Sequence, residues 1–283
     1  MTLKDIPNLH QLIDQALAED IGDGDHSALA CIPADAMGKA HLLVKEDGIL
    51  AGVGLAEMIF NKVDSRFELD ILINDGTPVH KGDIAFIVSG PSQKLLSAER
   101  LVLNYMQRLS AIATQTNRYV QLLKGTKAKV LDTRKTTPGL RYLEKWAVQL
   151  GGGHNHRIGL FDMIMLKDNH IDFAGGIEAA ITKTKDYLAK TGKNLAIEVE
   201  TRDLKELDEV LRVGGIQRIM LDNYSLDDTR TAVKHIDGKY ETESSGGITL
   251  ETIRGYAECG VDFISVGALT HSVKSMDLSL KAI

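Results

Sequence analysis

The chain has 283 residues, 43% of them hydrophobic and 25% charged, and a formal net charge of −6. That length holds one large domain or two ordinary ones with a substantial core. The acidic balance leaves no basic surplus for phosphate backbones or anionic membranes, which excludes both as general partners.

Cys31 and Cys259 lie far apart with no metal-ligand spacing, the usage expected of free thiols in a reducing cytoplasm. The opening MTLKDIPNLHQLIDQALAED lacks the apolar core of a signal peptide, and no run of about 18 apolar residues follows it. A cytoplasmic protein without a membrane partner is expected.

In chain order, helical patterns near 5–19 and 54–63 each precede a strand-and-turn segment, KAHLLVKEDGILAG and RFELDILINDGTPVHKGDIAFIVSG respectively. EDIGDGDHS (19–27) misses the calcium-loop spacing and reads as a turn with capping acids. SQKLLSAERLVLNYMQRLSAIATQTNRYVQLLKG is then a long helix whose Met and Leu residues belong to a core. Arg100 and Arg108 on it are either surface charges or reach a site.

From there, apolar runs begin at residues 129, 163, 195, 218, 240 and 262. Helical patterns fill most of the gaps, several with Thr, Ser or Asp at the start and Gly at the end. This spacing suits successive βα units of a parallel sheet. Nearly every run starts apolar and ends polar: Asp132 and Arg134, Lys167 and Asp168, Glu198 and Glu200, Asp222 and Asn223, Glu243 and Ser245. In a barrel such ends meet at one mouth, where active sites are built.

The expected class is therefore α/β. An N-terminal α+β open sandwich domain over 1–115 precedes an incomplete (β/α) barrel over 116–283, with a C-terminal helix near 271–283 packing back onto the first domain.

DTRKTTPGLRYLEKWAVQLGGGHNHR (132–157) concentrates five Arg or Lys and two His against two acids. Thr137 and Pro138 read as an N-cap and first helical position. The helix they start would leave Arg134 and Lys135 before it, and His156 and Arg157 after it. Arg grips carboxylates with a planar fork and Lys adds a point charge. With Lys167, these residues suit a ligand bearing several carboxylates or phosphates. Arg141, Glu144 and Lys145 read instead as helix-surface charges.

His154 and His156 are too few for a zinc site, so His156 reads as a donor to an anion. His170 reads as a loop-orienting residue. Glu200 and Asp222 end consecutive strands. They can hold Mg²⁺ on a phosphorylated substrate, bind sugar hydroxyls, stabilise a developing positive charge, or serve as structural salt bridges. SSGGI (244–248) and SVGAL (265–269) offer backbone N–H groups that can cradle a phosphate.

DTRKTTPGLRYLEKWAVQLGGGHNHR, MLKDNHI, EVE, MLDN, SSGGI and ISVGALTHS occur in the order found in the quinolinate phosphoribosyltransferases, which the chain resembles over nearly its whole length, EDIG and ERLVLNYMQRLSAIAT included. The resemblance implies a sandwich domain with an incomplete barrel, a homodimer with shared active sites or a higher oligomer, and a Mg²⁺ requirement. It also implies decarboxylating transfer from 5-phosphoribosyl-1-pyrophosphate to quinolinate in NAD biosynthesis.

Carried over by motif, Arg134, Lys135, His156, Arg157 and Lys167 line the quinolinate and pyrophosphate sites, and Arg100 comes from the partner subunit. Lys135, Glu200 and Asp222 are the implied catalytic residues, the two acids also holding the ribose and its Mg²⁺. Ser245, Gly246, Gly247 and Gly267 receive the 5-phosphate. Three rivals share parts of this pattern: a Schiff-base aldolase acting through Lys167, a non-catalytic anion sensor, and a molybdenum-transport paralogue of the same fold.

Overall fold

The computed structural model describes residues 1–283. The first elements are α1 (Leu9–Ile21), α2 (His26–Cys31), β1 (Met37–Val44), β2 (Gly48–Ile49), α3 (Val53–Val63), β3 (Glu68–Ile71), β4 (Pro78–Val79), β5 (Ile84–Pro91) and α4 (Ser92–Leu122). β6 (Lys129–Leu131), α5 (Arg141–Leu150), β7 (Ile164–Leu166), α6 (Asp168–Ala174), α7 (Ile177–Thr191) and β8 (Ile197–Thr201) follow. The chain closes with α8 (Leu204–Val213), β9 (Arg218–Asp222), α9 (Leu226–Ile236), β10 (Glu241–Ser245), α10 (Ile253–Glu258), β11 (Phe263–Ser265), α11 (Ala268–His271) and β12 (Leu278–Ala282).

These elements form two compact units, one of Met1–Asn117, Thr137–Gly152 and Ser272–Ile283, the other of Arg118–Thr136 and Gly153–His271. The α5 segment, Thr137–Gly152, groups with the first unit rather than with the residues on either side of it, and Ser272–Ile283 groups there too.

In the first unit, β12, β1, β5 and β3 form an antiparallel sheet. β1 alternates exposed or half-buried with buried positions, the period of a strand with one face on a core. Phe60 of α3 meets Phe67 at 5.1 Å and Phe86 of β5 edge-on at 6.3 Å between ring centroids. Burying a side chain such as Phe60, Phe86 or Leu42 completely contributes roughly 1.5–3 kcal/mol each. α4 buries Val102, Met106, Leu109 and Ala113 at helical spacing, as its pattern predicts. Asp25 caps α2 by accepting the Ala28 N–H at 3.0 Å, the role expected of the acids in that turn.

Three expectations fail here. Residues 278–282 are a strand, not a helix: Leu278 and Leu280 alternate with Ser279, and all five pair with β1. Thr137 and Pro138 do not begin α5. Gly139, at φ +82°, turns the chain, and the Leu140 N–H closes the turn on the Thr137 carbonyl at 3.0 Å. Finally, Glu144 and Lys145 are not surface charges but fully buried, and Arg141 is half-buried. Glu144 accepts Arg108 at 2.9 Å and the Thr137 N–H at 3.2 Å, so a charge read as solvated is an interior ion-pair partner.

In the second unit, six parallel strands run in the order β6, β11, β10, β9, β8, β7. β6 and β7 are the two edges, so the barrel is incomplete. Asp203 caps α8 and Ser225 caps α9, which explains why those helices start where they do. Alternation puts Ile197, Val199, Ile219, Leu221 and Ile264 on one face of the sheet. Met165, Glu198, Glu200, Arg218, Asp222, Glu243 and Ser245 fall on the other, here called the inner face.

Candidate active site

The carboxyl ends of the inner-face strands carry the polar groups. Lys167 directly follows β7, and its Nζ lies 3.0 Å from Glu200 Oε2 near the end of β8. Lys167 also caps α6, where its N–H donates to His170 Nδ1 at 3.0 Å, so His170 does orient this loop. Asp222 ends β9 and accepts the Asn223 side-chain amide at 2.7 Å. Each of Glu200 and Asp222 keeps a second carboxylate oxygen outside these bonds. The pair therefore suits Mg²⁺, which takes one or two carboxylates and fills its shell with water and phosphate oxygens.

Past β6, Arg134 and Lys135 are exposed. The Lys135 N–H donates to Thr133 Oγ1 at 3.0 Å, and its carbonyl accepts the Thr270 hydroxyl at 2.9 Å. These bonds hold its backbone and leave the ammonium stem alongside Gly267, where an added Cβ would press on Lys135 Cδ. Arg157 is half-buried, with Nη1 donating to the Met163 carbonyl at 3.2 Å and Nη2 to Met165 Sδ at 3.7 Å. Burial and the like charge of Arg134 both push its pKa down. The carboxylates of Glu198 and Asp162 act on Arg157 in the opposite direction, and a bound anion would add to them.

His156 is placed differently from expectation. Its segment lies along β6: the His154 N–H donates to the Val130 carbonyl, the Asp132 N–H to the His154 carbonyl, and the His156 N–H to Asp132 Oδ1 at 2.9 Å. The imidazole points into the inner face with 5% of its side chain exposed, between fully buried Glu198 at 2.9 Å and Glu243 at 3.4 Å from Nε2. Its Nδ1 accepts the Arg157 N–H at 2.7 Å. Both ring nitrogens are engaged within the protein. His154, by contrast, is exposed.

Burial pulls the His156 pKa down, and the two glutamates outweigh it, carrying it to about 9. Glu198 is also raised, by burial and by the charge of Glu243. With Nδ1 taking the Arg157 N–H, the ring proton sits on Nε2, and the further proton that both shifts call for belongs to the trio as a unit. The three groups lie within ligand distance of one another, all within 4.8 Å. Arg218 already occupies Glu243 at 3.2 Å, so a proton balances the cluster without an ion.

The last two strand ends form the glycine loops. The Asn223 N–H donates to the Ser245 carbonyl at 2.8 Å, and Gly246 adopts φ +99°. A Cβ on Gly246 would run into the Asn223 side chain and backbone, so only glycine fits there. Gly247 is exposed and Ser245 half-buried, leaving that turn open to a ligand. Gly267 precedes the short α11. Arg100 belongs to the first unit, exposed on α4.

In the sequence pattern Glu198 and Glu243 figure only as strand-end acids, and Arg218 has no role. Their signal was present: acids at inner-face positions of otherwise apolar strands are costly unless paired.

The chain matches the family described as "Quinolinate phosphoribosyl transferase, C-terminal domain" over residues 112–281 and "Quinolinate phosphoribosyl transferase, N-terminal domain" over residues 25–110. It is 47% identical to "Quinolinate phosphoribosyltransferase [decarboxylating] 1b" of Nicotiana tabacum, covering 97% of this chain and 82% of that protein. A "Probable nicotinate-nucleotide pyrophosphorylase [carboxylating]" of Bacillus subtilis is 43% identical over 96% of this chain and 92% of its own. The solved nicotinate-nucleotide pyrophosphorylase of Francisella tularensis superposes with a TM-score of 0.93 at 40% identity, covering 100% of this chain and 99% of that one. With both domains matched and identity of this order over almost its whole length, the chain belongs to the quinolinate phosphoribosyltransferase family.

Proposed function

We propose that the protein joins quinolinate to 5-phosphoribosyl-1-pyrophosphate, releasing pyrophosphate and CO₂ and giving nicotinate mononucleotide for NAD biosynthesis. The observation that carries this reading is the set of charged groups at the carboxyl ends of one parallel sheet: Lys167 paired with Glu200 at 3.0 Å, Asp222 on the next strand, and Arg157 tied to the Met163 carbonyl just before β7. Quinolinate brings two carboxylates and the sugar donor three phosphoryl groups. These polyanions account for a cation cluster in a chain of net charge −6.

Arg134, Arg157 and Lys167 would clasp the pyridine dicarboxylate, with Lys135 facing the departing pyrophosphate. Glu200 and Asp222 would hold the ribose hydroxyls and stabilise positive charge developing at the anomeric carbon as pyrophosphate leaves. Mg²⁺ held by these two acids, directly or through water, would neutralise the pyrophosphate charge. Ser245, Gly246, Gly247 and Gly267 would take the 5-phosphate.

The pyridine nitrogen then captures the anomeric carbon. The resulting pyridinium accepts the electron pair of the adjacent carbon–carboxylate bond as CO₂ departs, and a proton replaces the carboxyl. No protein nucleophile is required; positioning and electrostatics supply the catalysis. Lys167, held 3.0 Å from Glu200, serves in this reading as a fixed cation; borohydride trapping with a carbonyl substrate would instead support Schiff-base chemistry.

Arg100 would complete the site from a second copy of the chain, making a homodimer the active form. No helix is long and apolar enough to cross a membrane. Two free thiols support a reducing, cytoplasmic setting. The test is purified protein with quinolinate, phosphoribosyl pyrophosphate and Mg²⁺. Nicotinate mononucleotide and CO₂ should appear together, and their absence would overturn the reading.

A further inference from the structure

Beneath the strand-end groups lies a charged ladder whose Glu198 and Glu243 are fully buried. Strand register sets Glu198 of β8 beside Arg218 of β9, and Arg218 beside Glu241 of β10. Arg218 donates to Glu241 at 2.9 Å and to Glu243 at 3.2 Å, and its guanidinium lies 4.0 Å from the centre of the Phe263 ring. Glu243 therefore has a second cation besides His156.

Glu198 does not. The single hydrogen bond to its carboxylate is the one with His156 Nε2, and its Oε1 accepts none although it is fully buried. A carboxylate desolvated at such cost for one contact adds little stability that an apolar side chain could not match. It does fix where the imidazole sits.

The fixed ring in turn holds Arg157. Nε2 is seated between the two glutamates, the His156 N–H is tied to Asp132, and Nδ1 receives the Arg157 N–H. Arg157 is thus restrained at its backbone by His156 and at its guanidinium by the Met163 carbonyl. A side chain that must present a planar fork to a carboxylate loses binding energy if its backbone is free to turn.

We propose that Glu198 and Glu243 are positioning residues for the transfer reaction, clamping His156 so that Arg157 stays oriented toward the quinolinate carboxylates. On this view His156 serves the diacid from behind rather than by touching it. The inference rests on the reaction proposed above.

The test is a kinetic cycle with Glu198→Gln, Arg157→Lys and the double variant, each checked by thermal melting. Glu198→Gln is expected to raise KM for quinolinate by about tenfold, the scale typical of supporting contacts behind a ligand-binding group, with KM for phosphoribosyl pyrophosphate within about twofold of wild type. Adding it to Arg157→Lys should cost little more, because both changes disturb one element. If Glu198→Gln does not fold, Glu243→Gln supports the same comparison, since Arg218 and Glu241 remain paired. An active wild type with multiplicative losses in the double variant, or with both KM values shifted equally, would overturn this inference alone. A wild type that makes no nicotinate mononucleotide would remove the reaction as well.

Discussion

Arg134, Arg157 and Lys167 carry the recognition of two polyanions, and the consequences of changing them differ. Arg134 is exposed, so its removal leaves the fold intact. Arg134→Ala should keep its melting temperature yet lose about 2–5 kcal/mol of transition-state stabilisation, a fall in kcat/KM of roughly 30-fold or more. Steady-state kinetics with quinolinate as the varied substrate checks it, and unchanged kcat/KM would refute the role.

The His156 trio makes a different prediction. Its ring pKa is lifted to about 9 and that of Glu198 is also raised, so the folded protein binds more protons there than the unfolded chain does. The His156 share of this stability is complete below the ordinary histidine pKa and is lost as pH rises through about 9. The Glu198 share is complete only below the ordinary glutamate pKa and is lost as pH rises through about 7. The melting temperature should fall between pH 7 and pH 9.5, and less so in His156→Asn.

At the scale of elements, two features illustrate how strand ends become a site. Helices α8 and α9 start at Asp203 and Ser225 because those side chains satisfy the first N–H groups, a local matter readable from residue order. The turn after β10 needs Gly246 because Asn223 occupies the space a side chain would fill. Gly246→Ala should raise KM for phosphoribosyl pyrophosphate by an order of magnitude or more, about the effect of misplacing a substrate-positioning loop, while quinolinate binding by titration stays close to wild type. Equal loss of both substrates would argue that the turn supports the sheet at large rather than the phosphate.

The same scale shows where periodicity misleads. RYLEKWAVQL carries three charges that resemble a solvated face, yet Glu144 and Lys145 are buried. The Arg108 that pairs with Glu144 lies on α4, too far along the chain for any window of sequence to include it.

For the whole molecule, the proposed dimer predicts complementation. Neither Arg100→Ala nor Lys135→Ala should turn over well alone. Mixed and allowed to exchange subunits, they should recover up to about a quarter of wild-type activity, as random pairing with one intact site per mixed dimer gives. No recovery after proven exchange would show that Arg100 does not serve a neighbouring copy. What residue order determined was whatever depends on near neighbours or on a run of motifs. The βα alternation, the helix caps, the cation-rich segment 132–157 and the glycine turns are of this kind, since caps and alternation act within a few residues. Only the tertiary structure decided that residues 278–282 form a strand on β1, that Glu144 is an interior partner, and that His156 faces Glu198 and Glu243. Each of these depends on register or burial between segments far apart in the chain. The favourable term is pairing of desolvated backbone or charge, which no local pattern encodes.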